Sequence, residues 1–587
     1  MLSTIIKHSL RSFNRQKVYF LINLLGLSVG IACSILIATY IAHEASYDDF
    51  NTKKDRIYRL ILNGKIGEQE ILGAFSAPII GPSMQKGFPE IEEFCRINGF
   101  GVTNFRYNNQ NYEEDEVIEA DSSFFRFFSI PLIHGNINTV LNEPYKMVVS
   151  ESFAARVFGN ESPIDKTVQM GDNTNYYTIS GVMEDFPETS HFEADVILSF
   201  MTNPNSQNPI WLNNNLSTYF LLNANSSPAT VEEKIPQMVA DNVGPEIEQF
   251  FDATLEDFLS TGNRYTFFLQ PLSKVHLETG IQQMFKPASD PKYLLIFSIV
   301  ALLIIVIASI NFMNLSTAQA ARRAREVGLK KVAGSTKSIL VKQFLSESVL
   351  LTLFSLVIAV LLVKLSLPWF NDLLNANFGL ELLGTWYTIP LLIALALAVG
   401  VLSGSYPAFY LSSASPLEAF RSQKKNTSGT GRLRSALVVI QFAASIILII
   451  GTTIMYRQIT FMLNKDPGYN KEQLLVISRA GNLDTRIEAF KNRVKEIPGV
   501  INISASTAVP NRNNNNNGYA LEGKLDETLL LTTCWADYDF IDTYEMEITQ
   551  GRFFDRDYPA DIQGCIVNEA MLKEYGLEDA LSQAILA

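Results

Sequence analysis

Several short patterns in this sequence contain residue types that carry chemistry, but they lack the spacing that the chemistry requires. The acidic run 113–116 could bind a cation, yet the oxygen-ligand spacing of a calcium loop is absent, so we interpret it as a solvated edge. Ser190 and His191 place a nucleophile beside a base. Adjacent residues rarely face each other correctly, and no nucleophile elbow surrounds them, so both are expected to be structural. His134, His191 and His276 have no partner at metal-ligand spacing.

A second group of residues resembles a nucleotide site without forming one. Residues 334–338 read GSTKS, but a phosphate loop needs a glycine directly before its lysine and a strand before the loop. The four cysteines show no CxxC spacing, so neither a zinc site nor a disulfide framework is predicted. The chain is therefore expected to have no catalytic, metal or cofactor site and not to be an enzyme. If the protein uses ATP, another chain must hydrolyse it.

The composition points to a membrane protein with water-facing acidic parts. The chain has 587 residues, of which 47% are hydrophobic and 18% are charged, with a net charge of −13. Soluble domains carry about 25% charged residues, so this chain is too apolar for an ordinary soluble enzyme. Nucleic-acid binding is disfavoured, since it requires a basic surface.

Five segments are long and apolar enough to span a bilayer, which takes about 20 residues. The predicted spans are 18–42, 292–315, 344–370, 387–411 and 435–455. The first follows a basic stretch, but its apolar run is long for a signal peptide and no small-residue cleavage site follows, so we interpret it as a retained anchor. Residues 1–17 are expected to form a cytoplasmic amphipathic helix.

The short loops decide the predicted topology. Residues 1–17, the loop 316–343 and the linker 412–434 are rich in Lys and Arg, whereas the loop between the third and fourth spans has neither. By the positive-inside rule, the three basic segments and the N-terminus are cytoplasmic. The long segments 43–291 and 456–587 are then extracytoplasmic.

The segment 43–291 mixes helix and strand patterns, which indicates an α+β domain. Helical spacing predicts helices over 77–86 and 152–158, and β-rich runs predict strands over 147–149 and 176–182. Residues 203–215 are rich in Asn and Pro and are expected to form a surface loop.

The loop 316–343 contains the most informative motif. Residues 318–332 favour an amphipathic basic helix, Gly334 is expected to end it, and Glu347 needs a polar partner at the membrane boundary. The run ARRAREVGLKKVAGS followed by QFLSES resembles the signature loop of the FtsX/MacB-type ABC transporter permeases. Similar matches are SYPAFYLSSASPLEAFR at 405–421, NLLGLSVGIA to SYDDFNTKKDRIYRL at 23–60, YTISGVMEDFPETSHF at 177–192 and QPLSKVHLETG at 270–280.

The resemblance implies an architecture, a partner and a set of coupling residues. The domain 43–291 would be MacB-like, with a porter-like part and a β-rich insertion, and the loop 316–343 would be a coupling helix under which a separate cytoplasmic ABC ATPase docks. Two such ATPases would dimerise on ATP, and ATP and Mg²⁺ would bind there. The first two membrane helices would transmit the motion to the periplasm by mechanotransmission. The coupling residues matched to the motif are Arg322, Arg325, Glu326, Val327, Gly328, Lys330, Lys331, Gly334, Phe344 and Glu347.

The sequence also repeats itself at a spacing near 416 residues. Asp121 and Phe124 recur as Asp537 and Phe540, and Val148-Val149 recurs as Ile566-Val567. The predicted fold is therefore an α-helical membrane protein with α+β extracytoplasmic domains, in a tandem repeat of one membrane helix, a periplasmic domain and three membrane helices. The second periplasmic domain, 456–587, is expected to be incomplete, with the fifth membrane helix beside the second.

Three functions stay open on the sequence. The leading one is a permease subunit, in the bacterial inner membrane, for efflux or extraction of a peptide, antibiotic or lipoprotein. A periplasmic adaptor, an outer-membrane channel and the lipid bilayer are its further expected partners. The alternative within the family is an FtsX-like regulator of periplasmic cell-wall enzymes. From another class, a membrane receptor or anchor is disfavoured by the loop motif.

Overall fold

The computed structural model describes residues 17–67, 69–171, 175–319, 327–379, 386–413, 428–478, 480–510, 515–522, 524–577, 581 and 584–586. The chain divides into two compact units, the first built mainly from residues before 455 and the second mainly from residues 455 onward. The predicted amphipathic helix 1–17 lies almost entirely outside the described residues.

Five helices are long and apolar enough to cross a membrane. We number them membrane helices 1 to 5; their bounds are Lys17–Ala45, Pro291–Ala318, Lys337–Leu374, Thr388–Ser413 and Ser428–Asn464. All five overlap the predicted spans, but the third and fifth are much longer than the expected 344–370 and 435–455. The residues that flank the apolar run of the third helix favour helix, and this helix continues even through Pro368. Here the chain leaves the helix only at Asn375, which has a left-handed conformation.

The membrane helices of the first unit pack through small residues and hydroxyl groups. A Cβ added to Gly30 of helix 1 would lie 2.9 Å from the Cβ of Ala308 on helix 2. The Ser355 hydroxyl of helix 3 donates to the carbonyl oxygen of Leu24 on helix 1 at 3.3 Å. Because neither glycine nor serine holds the backbones apart, helices 1, 2 and 3 approach closely.

Helix 5 meets helix 2 through a polar contact. The Asn314 amide nitrogen donates to Gln441 Oε1 at 3.4 Å, which is the neighbour relation expected for these helices.

The region between membrane helices 1 and 2, residues 46–290, which we call the outer domain, is an α/β structure organised around one large mixed sheet. Among the described residues thirteen strands join in the order β13-β1-β12-β3-β6-β11-β8-β10-β9-β4-β5, with β2 on β1 and β7 on β10. The strands are β1 Ile57–Ile66, β2 Gln69–Gly73, β3 Ile91–Gly99, β4 Thr103–Tyr107, β5 Gln110–Glu114, β6 Val117–Ala120, β7 Leu132–His134, β8 Lys146–Ser150, β9 Thr167–Met170, β10 Tyr176–Met183, β11 Val196–Ser199, β12 Ser217–Leu222 and β13 Arg264–Pro271. The helices of this region are Ile80–Gly87, Phe124–Phe127, Glu151–Phe158, Pro228–Glu232, Ile235–Asn242, Gly244–Phe251 and Leu255–Ser260.

The centre of the sheet is its most buried part. Strand β11 runs parallel to β6 and antiparallel to β8, and every residue of β6 and β11 is buried. One face packs on an aromatic cluster that includes Phe124, Phe128 and Phe192. The helices and strands predicted near residues 80, 148, 152 and 179 are confirmed to within a few residues.

One expectation for the outer domain is wrong. The acidic run 113–116 is not simply a solvated edge, because Glu114 is buried and forms an ion pair with Arg156. This partner comes from the helix Glu151–Phe158, which the fold brings to the end of β5, and a local charge pattern cannot reveal such a neighbour.

The second unit has its own small sheet, in the order β15-β14-β16, formed by β14 Asn515–Leu521, β15 Lys524–Thr533 and β16 Ile585–Leu586. Its helices are Ile487–Lys495, Phe540–Tyr544 and Glu569–Glu574. Cys534 and Cys565 are exposed and free, so they do not pair.

Local hydrogen bonds of the outer domain recur in the second unit. The backbone nitrogen of Asp121 donates to the Arg96 carbonyl oxygen at 3.2 Å, and Asp121 Oδ2 accepts from the Arg96 backbone nitrogen at 2.9 Å. Asp537 makes the same pair of bonds with Ala505, at 3.0 and 2.8 Å. Each aspartate also pairs with a cation, Arg96 in the first unit and Lys491 in the second.

A helix cap recurs in the same way. The Ser150 hydroxyl accepts a hydrogen bond from the backbone nitrogen of Phe153 at 3.0 Å, and Asn568 Oδ1 accepts from that of Met571 at 2.9 Å. Both capped helices bury the residue that donates.

Candidate coupling site between membrane helices 2 and 3

The coupling segment, which we define as residues 327–334, contains a helical stretch that ends just before membrane helix 3 begins. Residues 327–332 are helical. Gly334 has φ of +92°, a conformation that suits glycine, and the backbone nitrogen of Ser335 then donates to the Lys330 carbonyl oxygen at 2.9 Å. Gly334 therefore ends the helix, as expected.

The helices on either side reach into the predicted loop 316–343. Membrane helix 2 extends to Ala318 and membrane helix 3 already begins at Lys337. Both membrane helices run past their apolar cores because the flanking sequence keeps helix-forming residues. Arg322, Arg325 and Glu326 lie outside the described residues, so their part in the site stays a prediction.

The inner face of the coupling segment is fixed to two membrane helices. Val327 is buried in one cluster with Leu340 and Phe344 of membrane helix 3 and with Ala408 and Leu411 of membrane helix 4. Gly328 is buried as well. The motif residues Val327, Gly328 and Phe344 are therefore packing residues, which anchor the segment and are not available to a partner.

A polar ladder runs along the same side. Lys330 Nζ donates to Gln343 Oε1 at 3.2 Å, and Gln343 Nε2 donates to Glu347 Oε1 at 3.1 Å. Glu347 is buried, and its expected link to the basic helix includes this route through the Gln343 amide. The ladder ties the coupling segment to membrane helix 3 by hydrogen bonds as well as by apolar contact.

Three exposed apolar residues that the motif did not single out lie on the coupling segment and at the start of membrane helix 3. Leu329, Val332 and Ile339 have 60%, 69% and 55% of their surface exposed. The sequence signal for two of them, Leu329 and Val332, is that large apolar residues stand at i, i+3 spacing within a basic stretch. We call these three residues the apolar coupling face. It offers hydrophobic contact rather than chemistry, and among the described residues no cluster of three His, Cys, Asp or Glu could hold a metal ion.

Comparison with protein families assigns both halves of the first unit. Residues 20–238 match the family model of the MacB-like periplasmic core domain, and residues 298–416 match the FtsX-like permease C-terminal model. The chain belongs to the MacB/FtsX-type ABC transporter permeases. The second match contains membrane helices 3 and 4 with the coupling segment, so the site lies within the part of the permease that the FtsX-like model describes.

The similar proteins are permeases too. The chain is 22% identical over 443 residues to the uncharacterized ABC transporter permease YvrN of Bacillus subtilis, covering 71% of this chain and 98% of YvrN. It is 22% identical over 317 residues to the macrolide export ATP-binding/permease protein MacB of Mannheimia succiniciproducens, covering 53% of this chain but 44% of MacB. The chain thus spans nearly all of YvrN and less than half of this MacB.

Among solved structures, a permease domain from Porphyromonas gingivalis is 23% identical and covers 38% of this chain and 91% of that domain, with a TM-score of 0.33. The five apolar helices and the permease family together make the protein a membrane protein.

Proposed function

We propose that this chain is the permease subunit of an ABC transporter of the mechanotransmission type. A separate cytoplasmic ATPase, working as a dimer, binds ATP and Mg²⁺ and moves the permease, which drives efflux or extraction of a periplasmic substrate. The observation that carries the proposal is the apolar coupling face, which presents two exposed apolar side chains on the coupling segment, fixed to membrane helices 3 and 4, and a third at the start of membrane helix 3.

The chemistry of this face favours a protein partner with an apolar groove and an acidic rim. Exposed apolar side chains gain free energy when a partner removes them from water, at about 25 cal/mol per Å². Lys331, Lys337 and Lys342 belong to the same stretch of chain, and acidic groups around the groove would complement them. Because Val327 anchors the segment, a partner that displaces it also displaces membrane helices 3 and 4.

The basic loops support a cytoplasmic N-terminus and an inner-membrane location, with the outer domain in the periplasm. Thiol labelling of intact cells tests this topology. Asn205→Cys and Ser338→Cys, each with the exposed Cys534 and Cys565 replaced by serine, are treated with an impermeant maleimide. Labelling at 205 and protection at 338 are expected, and the reverse pattern would overturn the proposal.

The recurring hydrogen bonds of Asp121 and Asp537 support a tandem arrangement, in which the second unit is a further copy of the outer-domain fold. Replacing Asp537 by alanine is expected to expose Lys491 and loosen the second unit, just as Asp121→Ala would loosen the first. If Asp537→Ala leaves hydrogen exchange of residues 487–544 unchanged, the two aspartates do not play equivalent roles.

The proposed function is tested at the apolar coupling face. Leu329→Asp is expected to abolish co-purification of the native ATPase with the full-length permease, identified by mass spectrometry and by ATP hydrolysis in the purified sample. Ile133→Asp is the matched control, because Ile133 is an isoleucine with 40% exposure on the outer domain, where a charge should change nothing. If Leu329→Asp retains the ATPase, the face serves another contact, such as the lipid surface, and the docking assignment is wrong.

A further inference from the structure

One turn of the outer domain contacts the outer ends of three membrane helices. We call residues 187–193 the base turn; it lies between β10 and β11. The Ser190 backbone nitrogen donates to the Pro187 carbonyl oxygen at 3.0 Å. Ser190, His191 and Phe192 are buried, whereas Glu188 is exposed. The dipeptide Ser190-His191 is part of this turn, and both of its side chains are buried.

The first contact joins the base turn to membrane helix 1. Asp48 follows the end of that helix, and its backbone nitrogen donates to the Thr189 carbonyl oxygen at 2.7 Å. Its carboxylate Oδ1 lies 2.8 Å from His191 Nδ1, and His191 Nε2 lies 2.8 Å from the Tyr219 hydroxyl on β12. Both nitrogens of the buried imidazole are therefore used to fix the turn between the helix and the sheet.

The second contact joins the base turn to the segment that enters membrane helix 2. Lys286 forms an ion pair with Glu193, and its Nζ lies 3.5 Å from the carbonyl oxygen of Glu188. The same segment is held to the first helix, because His276 Nε2 lies 2.9 Å from Glu44 Oε2 and its ring stacks on Tyr47 at 3.3 Å.

The third contact comes from the turn after membrane helix 3. Asn377 donates to both carboxylate oxygens of Glu188, from its backbone nitrogen at 3.1 Å and from its side-chain amide at 2.6 Å. The next residue, Phe378, is buried with its ring centroid 5.0 Å from that of His43.

The turn that carries Asn377 is itself rigidly attached to helix 3. Asn371 Nδ2 donates to the Phe378 carbonyl oxygen at 3.3 Å, and the Phe378 backbone nitrogen donates back to Asn371 Oδ1 at 3.2 Å. The ring of Phe378 also packs on Phe370, with centroids 5.4 Å apart. Asn377 therefore follows any displacement of the end of membrane helix 3.

We propose that the base turn is a mechanical junction, and that membrane helix 3 gives the coupling segment a direct route to the outer domain through Asn377 and Glu188. This helix is 38 residues long; one end packs against Val327, and the other end holds the turn that binds Glu188. The source of the motion rests on the proposed function. The route itself does not, because it is a property of contacts within this chain.

The contact is tested by charge exchange, with hydrogen–deuterium exchange of the full-length chain in lipid nanodiscs as the readout. Asn377→Asp sets a second carboxylate against Glu188 and is expected to speed exchange in residues 187–193 about fivefold, as loss of a charge-assisted hydrogen bond does. Adding Glu188→Gln, which can donate to the new carboxylate, is expected to restore the original rate. Glu184→Ala, an exposed glutamate on the same connection, is the control. No change in Asn377→Asp, or no rescue by the second substitution, would overturn the contact.

The route is tested by disturbing the far end of helix 3. Leu340→Ala removes a buried side chain from the cluster around Val327 and is expected to speed exchange in the base turn, but not when Glu188→Ala has removed the acceptor of both Asn377 hydrogen bonds. If Leu340→Ala acts equally in both backgrounds, or never reaches the base turn, the route through helix 3 is wrong. If Leu340→Ala does not fold, Gln343→Ala replaces it, because this substitution removes the polar ladder at the same end of helix 3. The same outcomes are then expected in the two backgrounds. These samples contain no ATPase, so a failed docking proposal would leave these outcomes unaffected.

Discussion

The outer domain and the membrane bundle of the first unit are stabilised internally by different kinds of residue, large in the outer domain and small in the bundle. The core of the outer domain is filled by large rings, with the centroid of Phe128 5.3 Å from that of Phe124 and 5.1 Å from that of Phe192. The helices of the bundle approach closely at glycines, which have no side chain. A Cβ added to Gly400 of membrane helix 4 would lie 2.5 Å from Thr352 Oγ1 on helix 3.

This contrast follows from the two solvents. Water drives large apolar groups together, so the outer domain gains most from burying aromatic rings. Lipid is as apolar as a leucine side chain and gives no such force between helices, so close backbone approach and hydrogen bonds must stabilise the bundle. Removing large groups should therefore destabilise the outer domain, whereas adding them should destabilise the bundle.

The largest expected effect is in the outer domain. Phe128→Ala should lower its free energy of unfolding by about 3–5 kcal/mol, since it deletes a fully buried ring that the surrounding core cannot replace. Urea titration of the full-length protein, followed by protease resistance of residues 46–290, measures this. Ile133→Ala, at an exposed position, should cost less than about 0.5 kcal/mol. An equal loss in both variants would mean that the aromatic cluster is not the core.

The next effect is in the bundle and has the opposite origin. Gly400→Leu should destabilise the packing of helices 3 and 4 by about 1–3 kcal/mol, because the new side chain meets both Thr352 and Val349. Gly451→Leu on membrane helix 5 is the matched control, since a Cβ there would meet nothing within 4 Å. Thermal unfolding in nanodiscs should separate the two variants, and indistinguishable curves would refute the close approach.

The sequence predicts elements better than it predicts neighbours. The five apolar runs and the strands near Met147 and Tyr176 are local patterns, and all of them appear in the structure. Gly400 has no local signal, because its role depends on Thr352 in another helix. The coupling segment shows the same limit: its motif is readable, but which of its residues are buried depends on membrane helix 4. Val327 therefore proved to be an anchor, whereas Leu329 is exposed.

The two regions should also differ in how their stability depends on pH. Burial lowers the pKa of His191 below its ordinary value, in spite of the neighbouring Asp48 carboxylate. In the unfolded chain the imidazole of His191 binds a proton near pH 6.5. As the pH falls, the unfolded chain therefore takes up more protons than the folded chain. This group therefore contributes stability that is present above about pH 6.5 and is lost progressively below it.

Chemical denaturation of the full-length protein at pH 7.5, 6.0 and 5.0 measures this dependence. His191→Gln should unfold more easily at pH 7.5 but show a weaker loss toward acid than the unaltered chain. The energetic difference between Gly400→Leu and Gly451→Leu should stay constant over the same range, since neither position is titratable. If His191→Gln keeps the full pH dependence, other groups are responsible.

The smallest expected effect has the opposite sign and sharpens the same comparison. Burial, followed by the nearby carboxylates of Glu193, Asp195 and Asp115, raises the pKa of Glu116 to about 7. Between the ordinary glutamate value and pH 7 the folded chain holds more protons than the unfolded chain, so the contribution of Glu116 to stability falls as the pH rises through this interval.

Glu116→Gln mimics the protonated form and should stabilise the outer domain above pH 7, with no advantage near pH 4. Because Glu116 is only half-buried, solvent screening keeps the expected gain below about 1 kcal/mol. Glu113→Gln, an exposed member of the same acidic run, is the control. A gain at pH 8 that persists unchanged at pH 4 would show that the substitution acts through packing rather than through the proton that Glu116 retains.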